Sequence, residues 1–357
     1  MDDLVIARPQ GLYCPAGDFY IDPSRAVPRA VITHAHADHA RAGHGHVLAT
    51  AVSEGVLRSR LGAGLRLQGL AYGEAVLHRG VRISLHPAGH VLGSAQVRLE
   101  HGGRVWVASG DYYLAAVDER NPTCEPFEPL HCDCFITEST FGLPIYRWAA
   151  QAQVFAQIDD WWCSNAAAGR ASLLLAYSFG KAQRLLAGVD ASIGPIVVHR
   201  AVAAINQAYR AAGVALPITS VLGDRLAAQR GALVIAPPSV RGSAAELGEH
   251  SVGFASGWMQ LRRRRQGLDR GFVLSDHADW PGLLRAIAAS RAQRVIVTHG
   301  QEAVMVRWLR EQGLQADALG TGHGRVEGGE VADGACADAR PDGLAQVDIA
   351  AAAMGTR

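Results

Sequence analysis

The chain has 357 residues, 49% of them hydrophobic and 19% charged, and a net charge of +1. That length holds two domains with a substantial core, and the near-neutral balance excludes a protein that binds nucleic acid by bulk charge; such attraction must come from local patches. No stretch approaches membrane-span length and no basic-then-apolar leader opens the chain, so a cytoplasmic protein with no membrane contact is expected.

Residues 4–33 read as short strands and turns, with strand character in Gly11-Leu12-Tyr13 and Phe19-Tyr20-Ile21-Asp22. Asp22 is either a turn residue before Pro23 or a group that orients a ligand from behind. Arg29-Ala30-Val31-Ile32 is apolar and β-branched, a buried strand. It runs into Thr33-His34-Ala35-His36-Ala37-Asp38-His39, three imidazoles and a carboxylate within six positions. In extended chain His34 and His36 point to one side, while Asp38 and His39 follow in the turn and can aim at a second point. A lone histidine is usually a surface or satisfied core residue; four donors straight after a strand suit Zn²⁺ or a similar divalent ion. The loop histidines His44 and His46 are left unassigned, and residues 52–61 read as a short helix.

The strand Val81–Leu85 enters a Pro/Gly turn at His90, and two further strands follow, the second ending in Ser109-Gly110-Asp111. A carboxylate there can serve two cations, having two oxygens and about four lone-pair sites. Cys132-Asp133-Cys134 reads as two reduced thiols entering a strand, because the six cysteines show no framework spacing. That strand ends at Glu138; the one from Arg270 to Leu274 leads to His277; the one from Arg294 to Thr298 leads to His299. Each strand delivers one ionisable residue where it stops, and in a sandwich those ends would share one edge.

Between Glu138 and His277 helix and strand patterns alternate: a helix over 149–168, a strand over Leu173–Tyr177, a helix bearing Lys181, Gln183 and Arg184, then Ile196–Val198, a helix over 201–212, and Leu233–Ala236. Such alternation implies a parallel sheet with crossovers, hence an α/β domain inserted into the first. Ser178 with the amides that follow it, Lys181, and the run Arg262-Arg263-Arg264-Arg265 are candidate phosphate contacts. The tail from about residue 325, rich in Gly, Ala and Asp, lacks periodicity and reads as disordered.

His34-x-His36-x-Asp38-His39, His90 and Asp111 resemble the ligand motifs of the metallo-β-lactamase fold. Pro87–Gly93, Glu138–Gly142, Ser178–Gln183, Ser275-Asp276-His277 and His299-Gly300 resemble the β-CASP nucleases, and Gly11–Pro23 is most similar to the bacterial ligase-associated DNA exonucleases among them; a histidine at position 299 is closer to the RNA-processing branch. The likeness covers about residues 8–320. It implies an αββα sandwich (1–148 and 272–325) with a β-CASP insert (149–271) and a tail (326–357). It implies one metal on His34, His36, His90 and Asp111, and a second on Asp38, His39, Asp111 and His299, Zn²⁺ by ligand type with Mn²⁺ as the alternative.

The expected activity is phosphodiester hydrolysis of DNA by a dinuclear-metal exonuclease in repair, with a functional link to an ATP-dependent DNA ligase. Catalytic roles fall to Asp38 and to His277 as general acid, kept protonated by Glu138. An RNA nuclease is the alternative; a small-molecule hydrolase and a metal-free scaffold are weaker ones, since the insert is excess for the first and every ligand position is filled against the second.

Overall fold

The computed structural model describes residues 3–114, 121–222, 230–261 and 267–319, the side chains of 242–246 excepted. Arg262, Arg263 and the tail over 326–357 lie outside the described residues. The chain is mixed α/β with three sheets. The first holds β1 (Ile6–Arg8), β2 (Gly11–Cys14), β3 (Phe19–Ile21), β4 (Arg29–Val31), β5 (His46–Thr50) and, after helix α1 (Glu54–Leu61), β6 (Leu67–Leu70), in sequence order. From β3 to β6 the strands are parallel.

The second sheet begins with the antiparallel strands β7 (Ala75–His78), β8 (Val81–Pro87), β9 (Ala95–His101) and β10 (Arg104–Ala108), and continues into β11 (Cys134–Glu138), parallel to β10. The chain then builds a third, wholly parallel sheet. It runs through α2 (Gln151–Ala167), β12 (Ala171–Leu175), α3 (Lys181–Gly188), β13 (Ile196–Val198), α4 (Arg200–Ala211), β14 (Ser220–Val221), β15 (Leu233–Ala236), β16 (His250–Ala255) and β17 (Arg270–Phe272). It returns through α5 (Trp280–Ser290), β18 (Arg294–Thr298), α6 (Glu302–Glu311) and β19 (Gln315–Ala318), and β18 lies parallel beside β11.

Period-two alternation sorts the side chains of the second sheet onto its two faces. Trp106, Ala108, Ile136 and Ile296 pack with Phe19, Ile21 and Val31 of the first sheet. Their neighbours Val107, Phe135, Val295 and Val297 pack with Leu283 and Ile287 of α5 and Met305 and Leu309 of α6. Covered on both faces, β11 and β18 are near-continuous apolar runs, as buried parallel strands require. On the far side of the first sheet, Ala30, Ile32 and Val47 meet Val56 and Leu57 of α1 and Ile205 and Tyr209 of α4. Two facing sheets thus carry helices on their outer faces.

The parallel run β10–β11–β18 puts three strand C-termini on one edge, and β8, two antiparallel steps from β10, ends there too. One expectation needs correcting. The strand before His277 is not part of the sandwich; β17 pairs with β16 in the third sheet. A three-residue strand with one buried apolar side chain, Phe272, does not specify its partner, and the edge it forms belongs to the parallel sheet.

Candidate metal centre

After β4 the chain keeps one more sheet bond, Ile32 N–H to the Leu48 carbonyl at 2.9 Å, then turns through His34–His39. The turn is anchored from behind by Asp22, whose Oδ1 accepts the Thr33 amide at 2.8 Å and whose Oδ2 accepts the Thr33 hydroxyl. The Asp111 loop comes close because Gly110 has φ +56° and no side chain: a Cβ there would lie 2.7 Å from Thr33 Cβ.

The ring tautomers follow from acceptor-only partners. His90 Nδ1 lies 2.8 Å from the Asp276 carbonyl oxygen and His36 Nε2 lies 3.3 Å from that of Phe179, so each of these nitrogens carries the proton. Thr33 gives its hydroxyl proton to Asp22, so its oxygen accepts from His34 Nδ1 at 3.0 Å. The remaining nitrogens, His34 Nε2, His36 Nδ1 and His90 Nε2, therefore bear lone pairs. They face one another, with His36 Nδ1 3.0 Å from each of the other two. Asp111 Oδ2 stands 3.5 Å from His34 Nε2 and 3.9 Å from His90 Nε2. Three lone pairs and a carboxylate oxygen, all buried and within 4.8 Å of one another, repel unless a cation sits among them. The donor set fits a divalent metal.

Burial holds His34 and His90 well below the ordinary imidazole range, and neighbouring imidazoles add to the effect. They are neutral, as ligands must be. For Asp111 burial acts upward, but His39 and His277 outweigh it and keep the carboxylate ionised.

A second group adjoins. His39 Nδ1 is 2.7 Å from Asp22 Oδ2, leaving Nε2 to face Asp111 Oδ2 at 3.3 Å and Asp38 Oδ2 at 3.7 Å. The same oxygen of Asp111 thus lies between both groups. Burial lowers the His39 pKa, yet Asp111, Asp38 and Asp22 raise it well above the usual value, so a proton occupies the place a cation would take. The Asp38 side chain is 49% exposed. His299, at φ +56° just past β18, has its ring 5.5 Å from that of His39, and both line a small cavity with Asp38 and Gly110. Among the described residues, Asp38, His39 and His299 fall outside the tight ligand groups.

His277 faces this edge from the loop after β17. Its Nδ1 is 3.0 Å from Glu138 Oε2 and 3.1 Å from Oε1, and its Nε2 is 4.0 Å from Asp111 Oδ2. Glu138 is itself held by the Tyr112 amide at 2.8 Å and by the Thr140 hydroxyl. Burial pulls the His277 pKa down, but Glu138 and Asp111 more than offset it and raise it to about 9.

Two of the expected phosphate contacts are buried. Lys181 is 2% exposed and donates to Asp276 Oδ1 at 2.7 Å and to the Leu274 carbonyl at 3.0 Å, so its ammonium is engaged within the fold. Ser178 is buried ahead of α3, whose first turn is closed by Gln183 Oε1 accepting the Gly180 amide at 2.8 Å. The sequence reading missed Arg184, Asp276 and Thr33. Basic residues at positions 181 and 184 of an otherwise buried helix were the available signal.

No family model matches the chain. It is similar to a probable DNA ligase of Opitutus terrae, 35% identical over 316 residues, which is 87% of this chain and 30% of that protein. A shorter likeness, 29% over 125 residues, is to the endoribonuclease YSH1 of Candida albicans, covering 35% of this chain and 14% of that one. The chain thus spans less than a third of these relatives. A solved structure of a protein of unknown function from Enterococcus faecalis shares the fold: TM-score 0.55 and 12% identity, covering 77% of this chain and 76% of that one. No helix among the described residues is long and apolar enough to cross a membrane.

Proposed function

We propose that this chain is a metal-dependent nuclease of the metallo-β-lactamase/β-CASP type, an exonuclease that hydrolyses phosphodiester bonds of DNA in cytoplasmic repair. The observation that carries this reading is the convergence of three imidazole lone pairs on Asp111, with His36 Nδ1 3.0 Å from the other two, while Asp111 Oδ2 also faces His39 at 3.3 Å beside a protonated His277. Residues 149–271 would form the inserted domain over a sandwich made of 1–148 and 272–325.

His34, His36, His90 and Asp111 would hold one cation, and Asp38, His39, Asp111 and His299 another. Imidazole and carboxylate donors suit Zn²⁺ and also take Mn²⁺. When bound, such cations supply hydroxide near neutral pH and neutralise charge on the phosphate. Asp22 orients His39, and Asp111 keeps its charge in a buried setting. His277 gives the Nε2 proton to the leaving oxygen, while its Nδ1–H stays on Glu138, which holds the ring and sustains its positive form.

The name of the 35%-identical relative supports DNA as substrate and a functional link to a ligase; the YSH1 likeness favours RNA as the second reading. A time course on 5′- and 3′-labelled DNA and RNA of matched sequence, with Zn²⁺, Mn²⁺ or Mg²⁺, tests both. Stepwise shortening of DNA alone supports the first; preferential RNA cleavage selects the second; no cleavage of either rejects the nuclease reading.

A further inference from the structure

The third-sheet portion of the chain reaches the imidazole cluster through two short segments, 179–184 and the 275–277 loop after β17. The Phe179 carbonyl receives the Nε2 proton of His36 at 3.3 Å. Gly180, at φ +84°, lies against the His90 loop so closely that a Cβ would stand 2.3 Å from Val91 Cγ1. Lys181 ties Asp276 Oδ1 and the Leu274 carbonyl, and the Asp276 carbonyl holds His90 Nδ1 at 2.8 Å. Arg184 donates to the Ser275 and His90 carbonyls, both at 3.1 Å, with its guanidinium 4.7 Å over the Tyr113 ring. Both cations are 2% exposed.

We propose that Lys181 and Arg184 are positioning residues for metal binding: helix α3 fixes the Asp276 and His90 carbonyls, and through them the ring orientation and tautomer of His90. This rests on the metal-nuclease reading above. Two of the three imidazoles, His36 and His90, donate their outer hydrogen bonds to the Phe179 carbonyl and to the Lys181-held Asp276 loop, whereas His34 and His39 donate theirs to Thr33 and Asp22. Burying two cations is costly and apolar side chains would pack as well. Here the two cations donate to the His90 carbonyl, to the Leu274 and Ser275 carbonyls of the loop that carries His277, and to the Asp276 carboxylate. Docking of α3 and metal loading are therefore linked, and each strengthens the other.

The test measures Zn²⁺ affinity of the full chain by competition with a chromogenic chelator, without nucleic acid, alongside the rise in thermal midpoint on adding Zn²⁺. Lys181→Met and Arg184→Met should weaken affinity by roughly 10–100-fold, the usual effect of removing a group behind a ligand. DNA cleavage should return at saturating metal, which a general folding defect would not allow. If Lys181→Met does not fold, the double variant Lys181→Met/Asp276→Asn removes both charges of that ion pair together, and the same loss of affinity is expected. Wild-type affinity with an undiminished Zn²⁺-induced thermal shift in folded variants overturns the proposal. A wild-type chain that binds Zn²⁺ but cuts no nucleic acid overturns the nuclease reading alone, since the affinity ratio still judges the role of α3.

Discussion

Asp22 stands directly behind His39: its Oδ2 lies 2.7 Å from His39 Nδ1 while the same carboxylate holds the Thr33 amide and hydroxyl. One side chain therefore sets two imidazoles, His39 directly and His34 through Thr33. Asp22→Ala should cost roughly 10–100-fold in metal affinity. Asp22→Asn is a finer probe. Its amide can present N–H to His39 Nδ1, which favours the neutral tautomer protonated on Nε2 and denies a cation the Nε2 lone pair it would need. Chelator competition on both variants checks this; unchanged affinity in Asp22→Asn would show that the tautomer is set elsewhere.

His277 and Asp111 lie 4.0 Å apart but are expected to fail differently. His277→Ala should keep its metal and lose about 10²–10⁴-fold in turnover, the span of a general acid. Asp111→Ala should lose metal as well, because its Oδ2 faces both imidazole groups. Metal content and single-turnover cleavage, read on the same preparations, separate the two.

The Glu138–His277 pair predicts a pH dependence. In the metal-free chain the His277 pKa is raised to about 9, so the ring is charged below that. Glu138→Gln removes the carboxylate charge and should move the alkaline limb of the rate profile to lower pH. Stability follows the same sign: a folded-state pKa above the ordinary 6.5 gives a contribution fully present below 6.5 and lost as pH rises through about 9. Unfolding of the metal-free protein between those pH values should show that loss in the wild type and less of it in Glu138→Gln.

Gly110→Ala tests the close approach of the two sheets' loops. The added methyl would meet Thr33 at a φ that disfavours side chains, at a cost of about 1–3 kcal/mol. Denaturant unfolding should show the loss, and Zn²⁺ should recover less of it than in wild type, because Asp111 is displaced with the loop.

Removing metal with EDTA should lower the thermal midpoint of the wild type, and re-adding Zn²⁺ should restore it, since an ion that binds only the folded chain stabilises it by mass action. Because His39 holds a proton where a cation would sit, affinity should rise with pH over the range in which that proton leaves.

The sequence alone made one part of the candidate site legible, because that part is local, whereas the tight group also needs His90 and Asp111 from two other strand ends. His34, His36, Asp38 and His39 lie within six positions, so strand periodicity and one turn suffice to bring them together. Strand ends were legible as well, since apolar runs stop where an ionisable residue appears. Tertiary structure decided what those patterns could not. Lys181 carries the charge of a phosphate contact, and only packing against Asp276, 95 positions away, buries it in an ion pair. The Arg270–Phe272 strand carries no mark of the sheet it joins, and its partner β16 takes His277 to the edge from a third sheet. Charge and periodicity describe what a segment can bury or expose. Which face is covered, and by what, depends on contacts between residues far apart in the chain.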